Sequence, residues 1–304
     1  MKISVIIPVY NAAAFLEKAV LSACEQKEVE EVILIEDGSL DGSLGKALYL
    51  EKTHQKIRLY QHSDQKNHGP GASRNLGIKK AIFPFIAFLD ADDFYLPNRF
   101  LKTREVFQIN QDCEGVYEAI GVHFYNEKSE KRYKQLSPYN LTTVRKKGLP
   151  PEVLPFYIIG KSGHQISLDG LTIRKKTIDR IGGFDIDLKQ VQDTDFIWKL
   201  CLNAPLYPGK LDEAVTMRGV HGDNSIFRHE KVLYYRLLFA KKWFKKITLN
   251  QWDKQINRAI FRTYLEALAR QDKFETALRK KIFKLVKSVE VILKNPMVLF
   301  KLLF

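Results

Sequence analysis

Cysteine is scarce in this chain: Cys24, Cys113 and Cys201 are its only three, odd in number and far apart. That excludes a disulfide framework, supplies no zinc-binding spacing, and fits a reducing compartment. Long apolar runs are missing as well. No uninterrupted stretch approaches the roughly 18 residues that a bilayer-spanning helix needs. The first apolar run, Ile3 to Val9, is short and gives way at once to Asn11, so no signal peptide is predicted and the cytoplasm is the expected compartment. Internal repeats and low-complexity segments are absent, as are zinc-finger, RNP and KH signatures, which argues against nucleic acid as a partner.

What remains is globular in composition, with 45% hydrophobic and 28% charged residues. A length of 304 residues allows one large domain or two, each with a core. The net charge of +14 is unevenly placed. Through Ser225, 30 Lys and Arg stand against 29 Asp and Glu, whereas from Ile226 onward 19 stand against 6. The chain is a near-neutral body with a basic tail, and such a tail calls for an anionic partner.

Within the body, apolar β-rich runs alternate with helical spacing. Ile3 to Pro8, Val29 to Ile35, Ile57 to Gln61 and Pro84 to Leu89 read as strands. Ala12 to Glu25, Leu44 to Lys52 and Ala72 to Ile82 read as helices between them. This alternation predicts an α/β fold with a doubly wound, mostly parallel sheet.

The fourth strand ends in Asp90, Ala91, Asp92, Asp93, three carboxylates within four residues. Charges this close repel, and they stay ionised together when a cation sits among them. An acidic turn in solvent is the plain alternative. Position favours a site, because open α/β sheets bind ligands beyond the carboxyl ends of their strands. Tyr10 and Asn11 follow the first strand and Asp37 the second, so these residues converge on the same crevice. There an aromatic ring such as Tyr10 can stack on a base, Asp37 can accept from an imide N–H or a ribose hydroxyl, and Arg74 can face a diphosphate. A nucleotidyltransferase would favour a glycine-rich basic loop after the first strand, where this chain has Tyr10, Asn11 and three alanines.

Ser4 to Asn11, Glu36 to Ser39, Ala72 to Gly77 and Leu89 to Asp93 together resemble the successive motifs of the family 2 glycosyltransferases, which have the GT-A fold. Gly182 to Asp185, followed by Gln192 to Asp195 and Trp198, resembles the family's acceptor-side segment, and Arg218 to Ser225 its closing motif. The resemblance implies transfer of a sugar from a nucleoside diphosphate sugar, with a UDP-sugar as the expected donor and inversion at the anomeric carbon. It implies Pro8, Tyr10, Asn11, Asp37, Arg74, Asp90 and Asp93 as donor-binding residues. It also implies Mn²⁺ or Mg²⁺ held directly by Asp92, with Asp90 contributing indirectly and His221 as a further metal ligand or diphosphate contact.

Asp193 stands where the family carries the base of a Glu-Asp pair, but its neighbour here is Gln192. A plain alternative for Asp193 is a helix N-cap ahead of Phe196 to Cys201. The departure at Gln192 keeps open a second reading, a catalytically degenerate protein of the same fold that binds a nucleotide sugar or a membrane without turnover. Ser137 to Gln165 reads as a mobile loop on the acceptor side.

The expected organisation is a glycosyltransferase domain over 1–225, with its donor half about 1–99 and its acceptor half about 100–225. A basic helical region follows over 226–304. Thr276 to Leu293 shows amphipathic helical spacing, Pro296 reads as a break, and Met297 to Phe304 is nearly all apolar. That pattern predicts contact with an anionic membrane surface. It agrees with a saccharide or lipid-linked acceptor in cell-surface or extracellular polysaccharide synthesis at the inner face of the cell membrane.

Overall fold

The computed structural model describes residues 1–137, 139–222, 229–270 and 277–303. The expected boundary at Ser225 and Ile226, the end of the closing motif, Thr276 and Phe304 lie outside them. The described chain runs β1 (Ile3–Val9), α1 (Leu16–Cys24), β2 (Val29–Glu36), α2 (Ser43–Thr53), β3 (Ile57–Gln61), α3 (Pro70–Lys80), β4 (Phe85–Phe88) and β5 (Phe94–Tyr95). It continues through α4 (Leu101–Ile109), β6 (Gly115–Tyr117), β7 (Ile120–Phe124), α5 (Glu127–Leu136), α6 (Leu154–Gly160), β8 (Leu171–Arg174) and α7 (Lys175–Ile181). Next come α8 (Gln192–Asn203), β9 (Leu206–Pro208), β10 (Thr216–Val220), α9 (His229–Ile247), α10 (Lys254–Ala269), α11 (Ala277–Lys294) and α12 (Pro296–Leu303).

The described residues form a seven-stranded sheet in the order β3-β2-β1-β4-β8-β6-β9 and a three-stranded sheet in the order β5-β10-β7. β1 pairs parallel with β2 and β4, and β2 parallel with β3. β8 runs antiparallel between β4 and β6. Strands covered on both faces need apolar side chains on both, which explains the unbroken run of β1. Ile3, Val5, Ile7 and Val9 join Leu16, Ala19, Val20 and Ala23 of α1 in one buried cluster. Ile6 points to the opposite face, where α3 lies so close that a Cβ on Gly77 would collide with it. Each fully buried Val, Leu or Ile in these layers contributes about 1.5–3 kcal/mol.

The chain divides into two compact units. One comprises Met1–Leu154 with Gly163–Asn224, and the other Pro155–Ser162 with Ser225–Phe304. The segment expected as a mobile acceptor-side loop therefore contains a helix, α6, most of which belongs to the second unit. Pro138 within that segment lies outside the described residues. The described part of the second unit is helical, built from Pro155–Ser162 and α9 to α12. The break expected at Pro296 is present: α11 ends at Lys294, and Pro296 opens α12, since the first turn of a helix needs no N–H from it.

Candidate active site

Parallel pairing of β2, β1 and β4 brings their carboxyl ends to one edge of the sheet. After β1, Pro8 is partly buried and Tyr10 is half-exposed. Asn11 takes a left-handed backbone, φ +48°, which asparagine tolerates better than most residues. Its N–H donates to Ser39 Oγ at 3.1 Å and its Oδ1 accepts from Leu40 N at 2.8 Å, tying the β1 end to the loop after β2. Asp37, at the end of β2, is almost wholly buried. Its two carboxylate oxygens accept the N–H groups of His68 and Gly69, at 2.8 and 2.9 Å, so it anchors the segment entering α3.

Arg74 projects from α3 and is only 4% exposed. Nη2 donates to Asp90 Oδ1, and the guanidinium lies 5.5 Å from the Phe184 ring centroid. Its Nε and Nη1 are buried and have no protein acceptor. Orphaned guanidinium donors in the interior are costly, and a phosphate is the acceptor that a planar fork fits best.

The carboxylates after β4 divide into two sets. Asp90, Asp93 and Asp169 bring an oxygen each within 4.8 Å of one another. Asp93 is buried and accepts the N–H of Gly219 at 2.8 Å. A Cβ on Gly219 would run into the backbone oxygen of Asp92, so only glycine lets β10 close on this turn. Burial, and then the charges of Asp169, Asp92 and Asp90, push the Asp93 carboxyl well above its ordinary range, with Arg218 opposing. Asp169 is pushed up to about 6 by burial and then by Asp90, while its hydrogen bond with Asp93 and the cations Arg218 and Arg74 pull the other way. A carboxyl pair in this state holds a proton between its members more readily than two full charges. For Arg218, burial disfavours the charge, but Asp93 and Asp169 outweigh it and raise the pKa.

Asp92 and His221 form the second set. Asp92 Oδ2 lies 3.1 Å from His221 Nε2, both side chains remain partly exposed, and the imidazole stacks on Phe15 at 4.5 Å. One hard oxygen and one imidazole nitrogen, reachable from outside and next to Asp90, fit Mn²⁺ or Mg²⁺ with its remaining positions left for phosphate and water.

Asp193 lies in the first turn of α8, exposed, and accepts the backbone N–H of Thr194 at 2.8 Å. The helix begins at Gln192, earlier than its apolar spacing implied, so Asp193 sits inside the helix and the N-cap position falls to Val191. Val191 adopts φ +58°, a strained conformation for a β-branched residue, at a sharp entry into α8. Gln192 is 8% exposed, its Oε1 has no partner, and its Cγ faces Gly71 at the start of α3.

Asp169 joins the site although it does not follow a parallel strand: β8 runs antiparallel, so its amino end lies beside the carboxyl end of β4. The Ser167-Leu-Asp169-Gly170 turn just before β8 was the available signal.

Comparison with known proteins agrees with this geometry. The glycosyl transferase family 2 model matches residues 4–165, just over half of the chain. A glycosyltransferase of Rickettsia felis is 32% identical over 210 residues, covering 63% of this chain and 33% of that protein. The succinoglycan biosynthesis protein ExoU of Rhizobium meliloti is 37% identical over 97 residues, covering 32% of this chain and 28% of its own length. The chain spans 20% to 40% of the length of the first curated relatives it matches. Among solved structures, S. aureus TarS in complex with UDP-GlcNAc superposes with a TM-score of 0.64 at 20% identity, over 89% of this chain and 80% of that one. A Pyrobaculum calidifontis mannosyltransferase in complex with GDP-Man and Mn²⁺ gives 0.52 at 13% identity, over 99% and 83%. These likenesses show a GT-A fold. With its motifs on the converging strand ends and its family match over residues 4–165, the chain belongs to glycosyl transferase family 2.

Proposed function

We propose that this chain transfers a sugar, with inversion, from a nucleoside diphosphate sugar, UDP-linked in our reading, to a saccharide or lipid-linked acceptor in cell-surface polysaccharide synthesis. The observation that carries the reading is Arg74: buried, paired on one side with Asp90, and left with two unanswered N–H donors beside a carboxylate cluster. A diphosphate answers those donors, and a divalent cation balances its charge against the aspartates. The solved relatives hold UDP-GlcNAc in one case and GDP-Man with Mn²⁺ in another, which supports a nucleotide-sugar donor.

In this reading Tyr10 stacks on the base, and Asp37 receives the nucleoside edge or keeps the loop at His68 in place to do so. Asp92 and His221 hold Mn²⁺ or Mg²⁺, with Asp90 at its side. The bound cation supplies Lewis-acid neutralisation of the charge that develops on the leaving diphosphate. Asp93 and Asp169 lie behind them and set the shape of the turn. Asp193, exposed on the first turn of α8, takes the proton of the acceptor hydroxyl. As that oxygen bonds to the anomeric carbon, the bond from carbon to diphosphate breaks, and the configuration inverts.

The work on a lipid-linked acceptor fits a peripheral place on the inner face of the cell membrane. The Rhizobium relative is named for succinoglycan biosynthesis, which supports a role in polysaccharide synthesis. A second reading, binding without turnover, is favoured by one observation: Gln192 in place of the family's Glu, with its Oε1 unpartnered. Incubating the protein with Mn²⁺ and a panel of nucleotide sugars separates the two. Release of nucleoside diphosphate with one donor supports transfer; donor binding with no release from any donor supports the binding-only reading.

A further inference from the structure

In the second unit, α11 is amphipathic but faces the wrong way for a helix that merely packs. At about 100° per residue, Leu285, Val286, Val289 and Leu293 fall on one arc of the helix. They are 66%, 58%, 51% and 74% exposed. Lys284 and Lys287 lie off that arc and are partly buried, Lys284 reaching Glu266 of α10 at 3.4 Å and Lys287 pairing with Glu290 at 2.7 Å. A helix stabilised only by its neighbours would turn its leucines inward and its lysines outward. The next helix continues the pattern. Val298 and Leu302 of α12 are buried, and Asn257 and Arg258 of α10 hold the carbonyls of Lys301 and Leu302, while Met297, Phe300 and Leu303 stay at least half-exposed.

Two successive helices thus each leave apolar side chains exposed to solvent, and exposed apolar surface on this scale marks an interaction site. Charge identifies the partner. The same region carries 19 Lys and Arg against 6 Asp and Glu, with Lys281 and Lys294 exposed on α11 itself. Among the described residues no helix is long and apolar enough to cross a membrane. We propose that the exposed apolar side chains Leu285, Val289 and Leu293 of α11, and Met297 and Phe300 of α12, dock in the plane of an anionic lipid bilayer. The apolar side chains enter the headgroup boundary and the lysines meet lipid phosphates. This deepens the membrane position within the reading above, yet its test needs no turnover, so the two stand or fall separately.

The test is flotation of the full chain with phosphatidylcholine vesicles, with and without phosphatidylglycerol, for the unchanged protein and for L285S, V289S and L293S combined. All three positions are exposed, so the fold persists, which a thermal melt checks. The unchanged chain floats with the anionic vesicles, less so at high salt, and the triple variant partitions at least about tenfold less. Equal flotation of the variant, equal flotation with neutral vesicles, or no flotation of the unchanged chain overturns the proposal. So does size-exclusion chromatography showing an unchanged chain that self-associates and a monomeric triple variant, because the strip then belongs to a second copy.

Discussion

Asp169 Oδ1 accepts the backbone N–H of Asp90 at 3.0 Å across 79 residues of sequence. Its other oxygen accepts from Ser167 Oγ at 3.2 Å, and its own carbonyl takes donors from Arg99 and Thr216. One residue before β8 thus fixes the turn that carries the acidic cluster. Asp169→Ala leaves the Asp90 N–H without its acceptor and is expected to cost about 1–3 kcal/mol. Asp169→Asn keeps an acceptor oxygen and should lose less. Denaturant unfolding of the two variants checks the order.

The same residue predicts a pH dependence. Its carboxyl is raised to about 6 in the folded chain from an ordinary 3.8, so the folded state holds the proton more tightly than the unfolded state does. Its stabilising contribution is complete below the ordinary value and is lost as pH rises through about 6. Melting without divalent cations should show a falling Tm across that window, and Asp169→Asn should flatten the fall. A Tm that rises across the window, or the same slope in the variant, contradicts the assignment.

Gly219→Ala puts a methyl group against the backbone oxygen of Asp92, where there is no flexible side chain to yield. Overpacking of this kind costs about 1–3 kcal/mol. It should also shift the Asp92 and His221 pair, so Mn²⁺ affinity measured by calorimetry falls together with Tm.

Arg74→Lys keeps the charge but loses the fork. The lysine can still meet Asp90, but it offers a point charge where two further donors were aimed. The expected outcome is a donor KM raised by about tenfold or more. Steady-state kinetics with the active donor checks it, and an unchanged KM sets aside the diphosphate assignment.

Much of the donor half is readable in the sequence, because β1, β2 and β4 are apolar runs, α1 carries a clean apolar period, and turns separate the elements. The acidic cluster stood out because three aspartates ended a buried strand. Three features were not readable, each for a physical reason. Asp169 needed the antiparallel sense of β8, which a four-residue strand does not declare. The early start of α8 depends on Val191 adopting a left-handed conformation that its side chain disfavours, so tertiary packing overrides local preference. The helix α6 lies in a stretch rich in proline, glycine and lysine, and it is grouped by contacts with the second unit rather than with its sequence neighbours.

Asp92→Asn tests the proposed metal-assisted transfer at the carboxyl edge of β1, β2 and β4. The amide keeps the size of the side chain at a partly exposed position, so the fold should persist. The measurement is nucleoside diphosphate release with the active nucleotide sugar and saturating Mn²⁺. The expected outcome is a loss of at least about a hundredfold in kcat for Asp92→Asn, a magnitude ordinary for removing charge stabilisation from a developing anion. Full turnover in that variant would contradict it.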